Sequence, residues 1–152
     1  IIEAIELFEP EHIKSKQVRA SSDSINRGRQ NYEFLKSRID KYKPHVIFVE
    51  TPSGSQSSAG MKSYGMTCQL LAVLYPTPIE VTPQEVKIAS VNDKAASKEK
   101  IISWAYSLYS DLKWYFYQGK LQAKNEHMAD AIAIVYAGVK TNDFKRLLSL
   151  YE

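Results

Sequence analysis

At 152 residues the chain is long enough for one domain to bury roughly 68–70% of its unfolded surface without disulfide or metal staples. Its net charge of +3 and pI of about 8.8 are mildly basic, which by itself says little about nucleic acid. Apolar runs such as residues 70–75 fall far short of the about 20 residues that cross a bilayer. The lone Cys68 excludes an intrachain disulfide and fits a reducing compartment, so a soluble, cytoplasmic protein is expected.

Residues 1–8 alternate loosely between apolar and acidic positions, which predicts a strand closed by Pro10. Glu3, Glu6 and Glu9 also interrupt the apolar core that a signal peptide would need. After a loop over 11–23, Ile25, Gly28, Tyr32, Leu35, Ile39 and Tyr42 recur at helical spacing. That predicts a helix from Ser24, capped by Asp23 or Ser24 and stopped by Pro44, with Gly28 marking close packing. The apolar run from His45 to Val49 reads as a buried strand ending at Glu50. A helix then starts near Gln56 or Ser57 and runs to about Tyr75, with Met61, Tyr64, Cys68, Leu71 and Tyr75 as its stripe.

Ile79-Glu80-Val81 is a further short strand, and Thr82 caps a short helix that opens at Pro83 and runs to about Ala89. Ser97 caps the next helix, which carries Ile101, Ile102, Ala105 and Leu108. Residues 109–124 are irregular and aromatic-rich; 126–137 form a small-residue helix and 143–151 a terminal one. Strands alternating with helices imply one α/β domain over residues 1–152, built on a mixed or parallel sheet. Gly-x-Gly phosphate loops are absent, which argues against a nucleotide cofactor.

Glu50 stands at the C-terminal end of a buried strand, where open α/β sheets place ligands; the plain alternative is a strand end facing water. His127 and Asp130 are three apart, so on a helix they share a face and either meet one ion or form an ordinary exposed pair. Ala129, Ala131, Ala133 and Ala137 let that helix lie close to the strands, and Glu126 can turn the same way. Two carboxylates and an imidazole make a hard site suited to Mg²⁺ or Mn²⁺, which activate water at a phosphodiester. From Thr51 to Lys62, small hydroxyl residues at a helix start offer donors to phosphate or form a polar turn. Lys87, Lys94, Lys98 and Lys100 against Glu85, Asp93 and Glu99 make either a basic band or a solvated face. The run Trp114-Tyr115-Phe116-Tyr117 either packs on its own core or stacks on unpaired bases.

The order of these pieces carries a resemblance. A strand ending in Glu50 leads into a Gly/Ser loop and helix; then come Val81-Thr82-Pro83 with Lys87, Ala96-Ser97-Lys98, and His127-x-x-Asp130-Ala-Ile-Ala-Ile. Over residues 44–137 this resembles the RuvC-type Holliday-junction resolvases of the ribonuclease-H-like superfamily, in a phage-type member. The resemblance implies an α/β, ribonuclease-H-like mixed sheet flanked by helices. It further implies a homodimer that nicks four-way or branched DNA symmetrically with Mg²⁺ or Mn²⁺, in the bacterial host cytoplasm.

Glu50 would be the family's strand-end glutamate and Asp130 its final helical aspartate, with His127 where members carry Asp or His. These three are the implied metal ligands. Lys98 would steady transition-state charge. Lys87, Lys94 and Lys98, with Ser53, Ser55, Ser57, Ser58 and Lys62, are the implied DNA contacts. The family's opening strand with its Asp-x-Gly turn is not in this sequence, so the expectation is a missing first strand and a site one ligand short. The loop after Glu50 holds no phenylalanine wedge; Met61 or Tyr64 stands in its place. The rival expectations are a non-catalytic junction-binding scaffold and a ribonuclease-H-like nuclease without junction preference.

Overall fold

The computed structural model describes residues 1–13, 15 and 17–150. In chain order it forms helix α1 (Ala20–Tyr42), strand β1 (Phe48–Glu50), helix α2 (Ser58–Ala72), strand β2 (Ile79–Val81) and helices α3 (Pro83–Val91) and α4 (Lys98–Leu108). A hairpin of β3 (Phe116–Tyr117) and β4 (Lys120–Leu121) follows, then a 3₁₀ turn (Ala123–Asn125) and helices α5 (Glu126–Gly138) and α6 (Asn142–Leu148).

The chain is 55% helix and 7% strand, and this overturns the expected α/β, ribonuclease-H-like mixed sheet flanked by helices. Two small sheets of two strands each stand in its place. Strands β1 and β2 pair in parallel, three residues each, with Val49 opposite Glu80. Residues 1–8 form no strand. Ile2 and Ile5 both pack onto the core, and that three-residue spacing is incompatible with the two-residue alternation of a strand. Among the described residues no third strand extends the β1–β2 ladder, and the polar backbone is satisfied mainly in helices.

Side-chain caps explain most helix starts. The hydroxyls of Ser57, Thr82, Ser97 and Thr141 each accept from the backbone N–H three residues on. At Thr82 the box is reciprocal, because its own N–H donates to Glu85 Oε2 at 2.7 Å. Helix α1 departs from expectation. It begins at Ala20, so Asp23 lies inside its first turn rather than at its cap. The Asp23 carboxylate is buried and accepts from Ile13 N–H (2.8 Å) and bonds His12 Nδ1 (2.7 Å). The Ile13 amide, with His12 and Arg27, holds that carboxyl below its usual range although burial opposes. Helix α6 ends earlier than the sequence predicts, and the expected end at residue 151 lies outside the described residues.

The chain divides into two compact units. The first comprises Ile1–Leu7, Phe48–Thr51 and Ile79–Glu152. Its core centres on α5, which packs against α3, α4, β1 and β2. Ala129, Ala133 and Ala137 repeat every four residues and are buried, so the helix axis lies close to its neighbours. At its last turn a Cβ on Gly138 would overlap the Phe48 ring of β1, so only glycine allows this approach. Val81, Val86, Ile101 and Ile102 fill the remainder, each worth about 1.5–3 kcal/mol of burial.

The second unit comprises Phe8–Ile47 and Pro52–Pro78, essentially α1 and α2 with their flanking loops. Gly28 marks close packing there as expected: Met66 Cε of α2 stands 3.2 Å from where a Cβ would be. Among the described residues of the whole chain, no helix is long and apolar enough to cross a membrane.

Candidate active site

Glu50 closes β1, and its position is set by the parallel pairing with Val81. The strand end is pinned one residue further on. Thr51 donates to Val81 C=O from its backbone N–H (2.8 Å) and from its hydroxyl (3.3 Å). Asp130 sits one turn into α5, directly after the buried Ala129. Because α5 packs on both strands, the two carboxylates come within electrostatic reach of each other.

Both are half-buried, and both hold protons more tightly than an exposed carboxyl. Burial is the main cause for Glu50, followed by the negative charge of Asp130, with Lys87 opposing. For Asp130 burial again leads, followed by Glu126; His127, Lys98 and Lys87 pull the other way. Lys87 is half-buried on α3 and acts on both carboxylates. Lys98, the first residue of α4, ion-pairs with Glu126 Oε1 at 2.5 Å, which raises its own affinity for the proton. Both lysines and three carboxylates therefore share one neighbourhood.

Two hard oxygen donors from separate elements fit hydrated Mg²⁺ or Mn²⁺, which takes one or two protein carboxylates and fills its shell with water and substrate oxygen. His127 is exposed, beside Asp130. Among the described residues no three His, Cys, Asp or Glu converge as a closed ligand set, so Glu50, His127 and Asp130 are not gathered as one preformed cage.

The other sequence-derived residues scatter. Lys94 is exposed in the connection between α3 and α4. Ser53, Ser55, Ser57 and Ser58 are exposed at the start of α2, in the second unit. Two of these hydroxyls serve the helix itself: Ser57 caps Gly60 N–H (3.0 Å), and Ser55 Oγ accepts from Ser57 N–H (3.2 Å). Lys62 reaches the Ala20 carbonyl of α1 at 3.4 Å.

Sequence reasoning missed two polar side chains that the fold buries. Asn125 is fully buried, and its amide accepts from Tyr115 N–H (2.9 Å) and donates to Tyr115 C=O (2.8 Å). Asp23, read as a cap, instead gathers His12 and Ile13. Neither bond spans a helical or strand period, so no local pattern announces it. No family model matches the chain, and no curated protein matches it.

Proposed function

We propose that the chain is a structure-selective endonuclease that hydrolyses phosphodiester bonds in branched DNA with Mg²⁺ or Mn²⁺, working as a homodimer. One observation carries the cleavage reading: Glu50 and Asp130, delivered by a strand end and a helix, share a half-buried site in which their charges oppose each other. Carboxylates whose proton affinity is raised by burial and a neighbouring like charge are candidates for a functional site. The preference for junctions rests on the motif order that resembles the RuvC-type resolvases.

In this reading Glu50 and Asp130 hold the divalent ion through one oxygen-rich face, and His127 flanks it. A bound divalent cation supplies charge that activates water and stabilises the leaving oxygen. Lys87, placed between the carboxylates' fields, draws the scissile phosphate inward and offsets its charge. Glu126 pairs with the exposed Lys98, which keeps the ammonium within electrostatic reach of Asp130.

A cleavage assay on a four-way junction and a linear duplex, titrating Mg²⁺ and Mn²⁺, tests the reading. Paired, metal-dependent nicks confined to the junction are the expected result. Glu50→Gln and Asp130→Asn should each slow cleavage by more than roughly 100-fold and leave junction binding nearly intact. Cleavage retained in either variant would refute the site, and binding without any cleavage would point to the scaffold.

A further inference from the structure

The aromatic run over residues 114–117 leads into the hairpin, and the core absorbs only its first part, Trp114 and in part Tyr115. Gln118 and Gly119 both have positive φ (47° and 74°), which makes a two-residue turn of the hairpin-favouring type. The ladder pairs Phe116 with Leu121 and Tyr117 with Lys120, and continues through Gln122 N–H to Tyr115 C=O at 3.0 Å. Alternation along the strand then divides the run between two faces.

Trp114 and Phe116 share the inner face. Trp114 is buried, with its indole N–H donating to Tyr109 C=O (2.7 Å), and Phe116 meets the edge of Tyr106 at 5.7 Å. Tyr115 and Tyr117 alternate to the outer side, two strand residues or roughly 7 Å apart, with Tyr115 partly buried against the core and Tyr117 open to solvent. Tyr117 is 66% exposed, the most exposed ring of the run. Lys120 stands directly across from it, and the Lys124 ammonium lies 3.7 Å from the Tyr115 ring centre. Residues 113–124 carry Lys113, Lys120 and Lys124 with no Asp or Glu. None of the three lysines has an ion pair among the described residues.

We infer that this outer hairpin face is a binding surface for an unpaired nucleic-acid strand, with Tyr117 as the stacking platform and Lys120 and Lys124 meeting the backbone. An exposed ring such as Tyr117 accepts a splayed base, and cations beside it match the phosphates. Exposed aromatic area otherwise invites aggregation, and the local positive charge selects an anionic, planar occupant rather than an apolar one. Asn125 anchors the platform, since its two bonds to Tyr115 fix the base of the hairpin on the start of α5. The surface lies apart from Glu50 and Asp130 in its chemistry, and it holds whether or not the chain cleaves DNA.

The test is titration of the full chain in EDTA with fluorescein-labelled dT₂₀ and rU₂₀, against a blunt duplex. Unpaired strands should bind tighter than duplex when non-specific charge is screened by moderate salt. Tyr117→Ala should weaken strand binding about 5- to 150-fold, the worth of one stacked base. Tyr117→Phe should restore it, because the ring and not the hydroxyl stacks. Lys120→Gln should lower the salt slope by about 0.7. Preference for rU₂₀ over dT₂₀ would assign the surface to RNA, and equal binding to either strand. Unchanged binding in a folded Tyr117→Ala variant overturns the proposal. So does concentration-dependent self-association, read by sedimentation, that Tyr117→Ala abolishes, since the face would then meet a second copy.

Discussion

Glu50 and Asp130 each bind a proton more readily in the folded chain than in an unfolded one, chiefly because burial disfavours their charge. The sign of the linkage follows. Their favourable contribution is fully present below the ordinary carboxylate values and is lost as pH rises through the raised ones. At neutral pH the pair therefore destabilises the fold, a cost that the proposed function would account for. Solvent still reaches both groups, so the penalty is about 0.2–1 kcal/mol, the scale of exposed charge pairs. Glu50→Gln should accordingly raise Tm at pH 7 by up to about 4 °C, and the gain should vanish below about pH 4. Calorimetry across that range checks this; a drop in Tm at pH 7 would mean that Glu50 is held by a favourable partner.

A paired strand end and the helices packed on it hold this site in place, and the starts of most helices were the most legible feature of the sequence. Ser57, Thr82 and Ser97 cap where a hydroxyl precedes an apolar periodic run. Helix α3 matters to the proposed site because it carries Lys87. Thr82→Ala removes the hydroxyl half of the capping box, keeps the backbone N–H bond to Glu85, and should destabilise by about 1 kcal/mol in urea denaturation. A shift within error of zero would show that Pro83 and the remaining Glu85 bond start the helix. The strands were legible only in part. Ile79–Val81 and the end of the run before Glu50 pair as read, but the alternation over residues 1–8 misled. An alternating pattern announces only that two faces differ; a ladder exists only where a partner edge is within reach. The hairpin was hidden for the converse reason, since aromatic residues fall on both of its faces and give no alternation of polarity.

Across the whole molecule, charge is divided between the two units. The segments 8–47 and 52–78 hold ten Lys or Arg against five Asp or Glu, whereas the first unit holds ten against twelve. The net +3 therefore conceals a basic unit and a slightly acidic one that bears the carboxylate pair. A polyanion is drawn to the first kind of surface, and a cation to the second. Helix α1 supplies half of that unit's basic residues, with Arg29 and Lys41 exposed on it. Replacing both by Gln should reduce the salt slope of duplex binding by up to about 1.8 without lowering Tm by more than a degree or two. An unchanged slope would place the DNA contacts elsewhere.

Composition and most helix starts follow from the sequence alone, α1 excepted, because caps, turns and apolar stripes depend on neighbours within a few residues. The convergence of distant side chains does not. That Asp130 comes beside Glu50, that Lys98 is held by Glu126, and that Asn125 clasps Tyr115 are set by the close approach of α5 to β1, β2, α3 and α4. The sheet was likewise a tertiary decision. Three-residue strands have too little ladder to recruit a third, so the chain satisfies its backbone within helices and leaves two short pairings where a mixed sheet was expected.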